Sequence, residues 1–383
     1  MSASAPREAA SAPCEACARR SRLLAELGPT LDYVARRRER LFATLALADE
    51  QLIETLAGRR RAQVCERHAR PLAPAGQIGR ETAVCRHDAR YPSTLSSPSA
   101  PAVLHANGGL ARLRRVATAP VVAIVGSTTA SDYGALTARE LARGLATAGV
   151  SVAALLADGI GAAALRGALD GGGGALGITG HGLGIAPAGH RRALLRRLTV
   201  EGCALSELAH RCDGRRWGPA ASERIAVELA SVVVIVEARE IDRELAGARL
   251  AHALGRKLAA VPGRVASPLA AGPHAALRAG ATLVAHAGDV LELLEPPPAH
   301  GLQRPPCQAE LRPTLRLVLD RVGSGCATPD ALAGEGLAPG EVLLALTELE
   351  LMGLLARGEN GRYVRGFSHS AGARSERRRS PKL

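Results

Sequence analysis

The chain has 383 residues, enough for one large domain with one or two small ones, and its hydrophobic fraction of 47% supports a sizeable core. Aromatic residues make up only 2%, so the core must be built from Leu, Val and Ala, and few rings remain for stacking on bases. The net charge of +13 puts polyanions first among partner classes, with a compositional bias towards Ala, Gly and Arg as the competing source of that charge.

No apolar run approaches the roughly 20 residues of a bilayer span, so no membrane partner is expected. The N-terminus, MSASAPREAASAPCEAC, has no apolar signal core, and eight cysteines without one read as reduced thiols in a cytoplasmic protein. Residues 18–58 read as helices, with Leu23, Leu24, Leu27, Leu31 and Val34 at helical spacing. Helical segments over 41–47 and 52–56 follow, with Asp49 expected as the N-cap between them. Cys14-x-x-Cys17, Cys65-x-x-His68 and Cys85-x-His87 have partial zinc-like spacing; ordinary thiols are the favoured reading, and no metal ligand or cofactor is assigned. Residues 88–101, DARYPSTLSSPSAP, are rich in turn formers and lead into the next region.

From Val121 strands alternate with helices. Strands are predicted at 121–125, 150–156, 175–179, 203–206, 232–236, 258–261 and 282–284, and helices near 132–148, 161–169, 188–201, 221–230, 244–254 and 273–279. The strands are continuous apolar runs, as expected when both faces are covered, and the alternation predicts an α/β fold with a doubly wound parallel sheet. A proline-dense linker follows. Beyond it, helices at 314–322, 328–332 and 338–352 precede a hairpin at 353–364 with an Asn360-Gly361 turn. That is the layout of a winged helix, with a generic helical dimerisation module as the alternative. The Arg/Lys-rich end reads as a disordered tail.

The carboxyl ends of the predicted strands carry Gly126-Ser127-Thr128-Thr129, Asp158-Gly159-Ile160-Gly161, Gly180-His181-Gly182-Leu183-Gly184, Ser206-Glu207, Glu237-Ala238 and Pro262-Gly263. Ligands of open α/β sheets bind along this edge, where Gly lets the backbone approach a phosphate and Ser or Thr adds donors. For each loop the competing reading is that Gly ends a strand and Ser caps a helix. Neither G-x-G-x-x-G after the first strand nor G-x-x-x-x-G-K-[ST] is present. Glu207 and Glu237 are candidate catalytic carboxylates, with helix capping or loop fixing as the more common role for such residues.

Taken in order, these pieces resemble the DprA/Smf family. The correspondence runs from Arg90-Tyr91-Pro92-x-x-Leu95 through PAVLHANG (101–108), Val125-Gly126-Ser127, Ser131-x-Tyr133-Gly134, Ala157-x-Gly159-Ile160 and Gly180-x-Gly182-Leu183. It continues through Leu205-Ser206-Glu207, Arg224-Ile225, Val236-Glu237-Ala238, Leu254-Gly255-Arg256, Val261-Pro262-Gly263, Ser267 and Gly272. The resemblance implies a helical N-terminal region (1–85, SAM/HhH-like), an extended Rossmann-like core (86–295), a linker (296–312), a winged-helix-like domain (313–366) and a basic tail (367–383). It implies a protein that is not an enzyme, holds single-stranded DNA in DNA processing and natural transformation, helps load a RecA-type recombinase, and forms a homodimer. The expected phosphate-binding set is Gly126, Ser127, Thr128, Thr129, Ser131, Gly159, Gly180, Gly182, Ser206, Gly263, Ser267 and His274, with Arg224, Arg256 and Lys257 as counter-charges.

Departures from the family pattern bear on that set. Thr128 stands where an Arg is usual, Gly161 and Leu165 replace an Asp and a His, and Ser222-Glu223 replaces Arg-Asn. Asp242-Arg243-Glu244-Leu245 replaces S-G-S-L. Fewer cations and more carboxylates predict a weakened binding edge. The rival reading is a divergent relative that has lost DNA binding at this edge and acts by protein interaction or through the terminal module. A nucleotide-hydrolysing relative is the enzyme alternative, but its PGGxGTxxE signature is broken at Pro262-Gly263-Arg264.

Overall fold

Seven parallel strands form the centre of the fold; the five between residues 121 and 235 are apolar and almost wholly buried, whereas the last two, towards one edge, are partly or wholly exposed. The seven are β3 (Val121–Val125), β4 (Ser151–Leu155), β5 (Ala175–Ile178), β6 (Cys203–Ser206), β7 (Val232–Ile235), β8 (Lys257–Ala260) and β9 (Thr282–Leu283). The computed structural model describes residues 12–71, 81–109, 112–114, 118–239, 246–294, 311–325, 328–333, 337–352, 354–357 and 362–365. The chain divides into two units, 1–301 and 302–383.

Two further strands, β1 (Glu81–Cys85) and β2 (Val103–Asn107), extend the sheet antiparallel to give the order β1-β2-β6-β5-β4-β3-β7-β8-β9. The sequence did not predict these two. They are short, carry Glu, Cys, His and Asn, and are strands because β2 pairs with the edge of β6, His105 opposite Ser206. Residues 81–85 fall within the stretch expected to be helical and join the sheet instead.

Helices α6 (Asp132–Thr147), α7 (Ile160–Asp170), α8 (His190–Glu201), α9 (Trp217–Leu229), α10 (Ala246–Ala253), α11 (Ala271–Arg278) and α12 (Ala287–Leu291) connect or follow the parallel strands, after five N-terminal helices, α1 (Glu15–Glu26), α2 (Gly28–Val34), α3 (Arg38–Leu45), α4 (Asp49–Leu56) and α5 (Arg61–Ala69). The N-terminal helices share a core with α9: Leu23, Leu27, Leu31, Leu41 and Leu52 pack in one cluster with Trp217, Ala220 and Ala221. Asp32 accepts hydrogen bonds from the Arg216 and Trp217 N–H groups, both at 3.0 Å, which places a carboxylate at the start of α9. Asp49 is not the N-cap expected of it. Ala48 holds that place, with its N–H donating to Gln51 Oε1 at 3.1 Å, while the Asp49 carboxylate holds Arg20 and lies 3.3 Å from His68 Nε2.

In the second unit, α13 (Pro313–Gly323), α14 (Pro329–Leu332) and α15 (Pro339–Leu351) bury Val318, Leu332, Val342 and Leu346 together with Tyr363. Each begins with proline, whose missing N–H costs nothing in the first turn. β10 (Leu355–Arg357) and β11 (Tyr363–Arg365) pair antiparallel as the wing. The expected Asn360-Gly361 turn, the basic tail and Asp242–Leu245 lie outside the described residues. No helix among the described residues is long and apolar enough to cross a membrane.

Candidate nucleic-acid interface

The strand order makes the chain turn one way from β3 to β4 and cross back to β7, so the loops after β3 and β7 diverge at the carboxyl edge. This is the position at which open α/β sheets hold ligands. Here the crevice is bridged from within. Ser127 N–H donates to the Glu237 carbonyl at 2.7 Å, and the buried Glu237 carboxylate accepts from Ser131 N–H at 2.9 Å and from Ser131 Oγ at 2.5 Å. Ser131 Oγ in turn accepts from Gly134 N–H at 3.1 Å and caps α6. A Cβ on Gly126 would stand 2.6 Å from the Glu237 carbonyl oxygen, and one on Gly134 would strike its carboxylate. The anion at this helix start is therefore the protein's own Glu237. Ser131, expected to receive a phosphate, is committed to it, and Glu237 is a loop-fixing residue.

Several other expected contacts are also internal. Ser127 is 3% exposed, and its Oγ accepts from Thr129 N–H at 3.2 Å. Ser206 is fully buried, donating to the His181 carbonyl at 2.9 Å and accepting from Leu208 N–H at 3.0 Å. Gly182 N–H donates to the Cys212 carbonyl at 2.8 Å, and Gly180 has no room for a Cβ because the start of α9 at Gly218 and Pro219 lies against it. Arg224 is no surface counter-charge. With no exposed area, it donates to Glu207 Oε2 at 2.6 Å and to the Ser99 carbonyl. Burial works against its charge, but the Glu207 and Glu228 carboxylates outweigh it and raise its pKa further. Glu207 is thereby an ion-pair partner, not a free acid or base.

Arg256 and Lys257 lie at the wrong edge. Lys257 begins β8 opposite Val232, where the parallel strands start, so both residues sit at the amino ends. Arg256 donates to the Thr94 and Glu228 carbonyls at 3.2 and 3.0 Å, and Lys257 Nζ to the Leu293 carbonyl at 2.9 Å. Sequence cannot separate a cation just before a strand from one just after it in space until strand direction is known.

What the carboxyl edge does present is Thr128 and Thr129, both exposed, and Gly159, whose φ of 68° starts α7 beneath the Ser127 carbonyl. Beyond β8, Gly263 and Ser267 are partly exposed, and His274 Nε2 lies 3.1 Å from the Gly263 carbonyl. Beside β4 and β5 a cleft of about 120 Å³ is lined by Thr179, Gly180, His181, Arg191, Asp213 and Arg215 among others. Arg215 is exposed and adopts φ 45°, the one non-glycine residue at positive φ among the described residues. Tyr133, 42% exposed in the first turn of α6, donates to the Pro262 carbonyl at 3.0 Å. Arg191, Arg215, His181 and the ring of Tyr133 were not singled out from sequence as contacts. The two arginines sit within RR pairs that look like ordinary solvated charge, and only the topology brings them to this edge.

Glu223 adds no charge to the edge. It is buried on α9 and paired with Arg38 of α3. At the carboxyl end of β1, the outermost strand, Cys14, Cys17, Cys85 and His87 come together, whereas Cys65 and His68 are not part of that group.

The family model for DNA recombination-mediator protein A matches residues 82–295, and that for the DprA winged helix domain matches 303–361. A DprA-type DNA-processing relative from Mycobacterium tuberculosis (strain H37Rv) is 38% identical over 267 residues, 67% of this chain, and the chain spans 66% of that relative's length. Protein Smf of Escherichia coli (strain K12) is 31% identical over 72% of this chain and 74% of its own. The crystal structure of DNA processing protein A from Streptococcus pneumoniae superposes with a TM-score of 0.55 at 27% identity, covering 64% of this chain and 86% of that one. The core match spans more than half of the chain and the winged-helix match follows it in order: the chain belongs to the DNA recombination-mediator protein A (DprA/Smf) family.

Proposed function

We propose that this chain is a non-enzymatic, cytoplasmic protein of DNA processing and natural transformation that holds the backbone of single-stranded DNA along the carboxyl edge of its sheet. The observation that carries the reading is the gathering at that edge of exposed Arg215, Thr128 and Thr129 with half-buried Arg191 and His181. Arg191 Nε lies 3.5 Å from Asp158 Oδ1 and Asp213 shares the cleft, while the buried glutamates nearby are engaged internally. Arg191, Arg215 and His181 line the cleft and Thr128 and Thr129 stand beside it, while Glu207, Glu223 and Glu237 are committed to Arg224, Arg38 and Ser131. A phosphate approaching there meets donors and positive charge, and contacts of this kind position a strand without reading its sequence. Tyr133 offers the ring on which a base can stack. The same reading includes delivery of the strand to a RecA-type recombinase and action as a homodimer.

The test is a titration of single-stranded oligonucleotide against salt. Each phosphate contact contributes a slope of about −0.7 in log K against log[salt], so Arg191→Gln with Arg215→Gln should flatten the slope by about 1.4. No complex at low salt would refute DNA binding at this edge and favour action through protein partners or the winged helix. A double variant with the parental slope would show that the strand lies elsewhere.

A further inference from the structure

We propose that Cys14, Cys17, Cys85 and His87 form a structural zinc site that fastens the N-terminal helices to the outer strand of the sheet. Cys14 and Cys17 occupy the N-cap and first turn of α1, Cys85 ends β1, and His87 follows in the turn closed by Asp88 N–H donating to the Cys85 carbonyl at 2.8 Å. The four ligand atoms all lie within 4.8 Å of one another. His87 Nδ1 is 3.2 Å from Cys14 Sγ and 3.4 Å from Cys17 Sγ. A tetrahedral ZnS₃N centre, with bonds of about 2.3 Å to sulfur and about 2.0–2.1 Å to nitrogen, needs ligand separations of roughly 3.5–3.8 Å. Small side-chain rotations supply the difference.

The donor set selects the metal. Three thiolates and one imidazole suit zinc over magnesium or calcium, and four protein ligands leave no open position for water or substrate. The site is therefore structural. Cys17 and Cys85 are buried with Ala102 and Val103 in a small apolar cluster of their own, apart from the main core. Leu23 and Leu24 anchor the C-terminal half of α1 in the core shared with α9, while its first turn has only this small cluster, and a metal bound to both segments would add a link across some 70 residues of chain. All three cysteines are free thiols, and any disulfide among them would strand the third beside the imidazole.

The measurement is metal content of the full chain, purified with thiols reduced and without a histidine tag. One zinc per chain is expected, and apo protein refilled with cobalt(II) should show the visible bands of a tetrahedral site and a thiolate-to-cobalt charge-transfer band. Cys17→Ser and Cys85→Ser should lose the metal; Cys65→Ser and Cys212→Ser, outside the cluster, should keep it. Because the serine variants can misfold, His87→Cys is the companion: it keeps four ligands, with a fourth thiolate in place of the imidazole, and should retain one zinc. A fully reduced parent chain that takes up neither zinc nor cobalt overturns the proposal, as does full zinc content in Cys17→Ser or Cys85→Ser.

Discussion

Replacing Arg224 by Met separates a buried structural role from a surface DNA contact. The guanidinium has no exposed area and donates to Glu207 at 2.6 Å, and on the same helix Glu228, equally buried, accepts from Ser97 and Ser99 at 2.9 and 2.8 Å. At a charge separation of roughly 4 Å and an effective dielectric near 20, the Arg224–Glu207 attraction is about 4 kcal/mol. Met replaces much of the volume but leaves two carboxylates buried without their cation, for which losses of about 3–5 kcal/mol are typical. For a unit of this size that corresponds to a fall in Tm of roughly 5–8 °C. Thermal unfolding of Arg224→Met, Glu207→Gln and the double variant reads it directly; the double variant should lose less than the sum of the singles. A variant with the parental Tm and a salt slope for single-stranded DNA flattened by about 0.7 would refute the argument and restore Arg224 as a phosphate contact.

Thr128→Arg should steepen the DNA salt slope by about 0.7, since Thr128 is exposed beside the edge; an unchanged slope in the same titration would move the strand away from this turn. Gly159→Ala forces a Cβ into a φ of 68° and against the Ser127 carbonyl, at a cost of about 1–3 kcal/mol measurable by urea denaturation. Glu81 is nearly buried; burial pushes its pKa up, but hydrogen bonds from His105 and His210 outweigh this and hold it below the ordinary carboxylate value. A depressed carboxylate stabilises the fold above its unfolded pKa and ceases to do so as pH falls through the folded one. The parent should therefore lose its advantage over Glu81→Gln on acidification below about pH 4, and an advantage independent of pH would disprove it.

The core and its loops were legible because the central parallel strands, β3 to β7, are buried on both faces and so read as continuous apolar runs. The predicted ends at 121–125 and 203–206 match β3 and β6, and 282–284 differs from β9 by one residue. The site was legible as a set of glycine and hydroxyl loops at one edge, and less so residue by residue. Ser131, Ser206 and Arg224 have the chemistry of phosphate ligands, yet each is engaged within the protein, by Glu237, His181 and Glu207, which lie 106, 25 and 17 residues away in the chain. Arg256 and Lys257 were misplaced because a parallel strand carries its first residue to the edge opposite its last.

Local chemistry by itself determined the elements from Val121 onward, their alternation, the wing and the small-residue turns, since each of these depends on near neighbours and on hydrophobic period, but not the edge strands β1 and β2. It also placed Cys14, Cys17, Cys85 and His87 in suggestive pairs. Only the tertiary structure decided which pairs meet, that Cys65 and His68 stay out, and that Glu223 answers to Arg38 and not to DNA. Pairing of charges, thiols and edge strands depends on distance through space, and folding sets that distance by packing α1, β1 and α9 from segments far apart in the sequence.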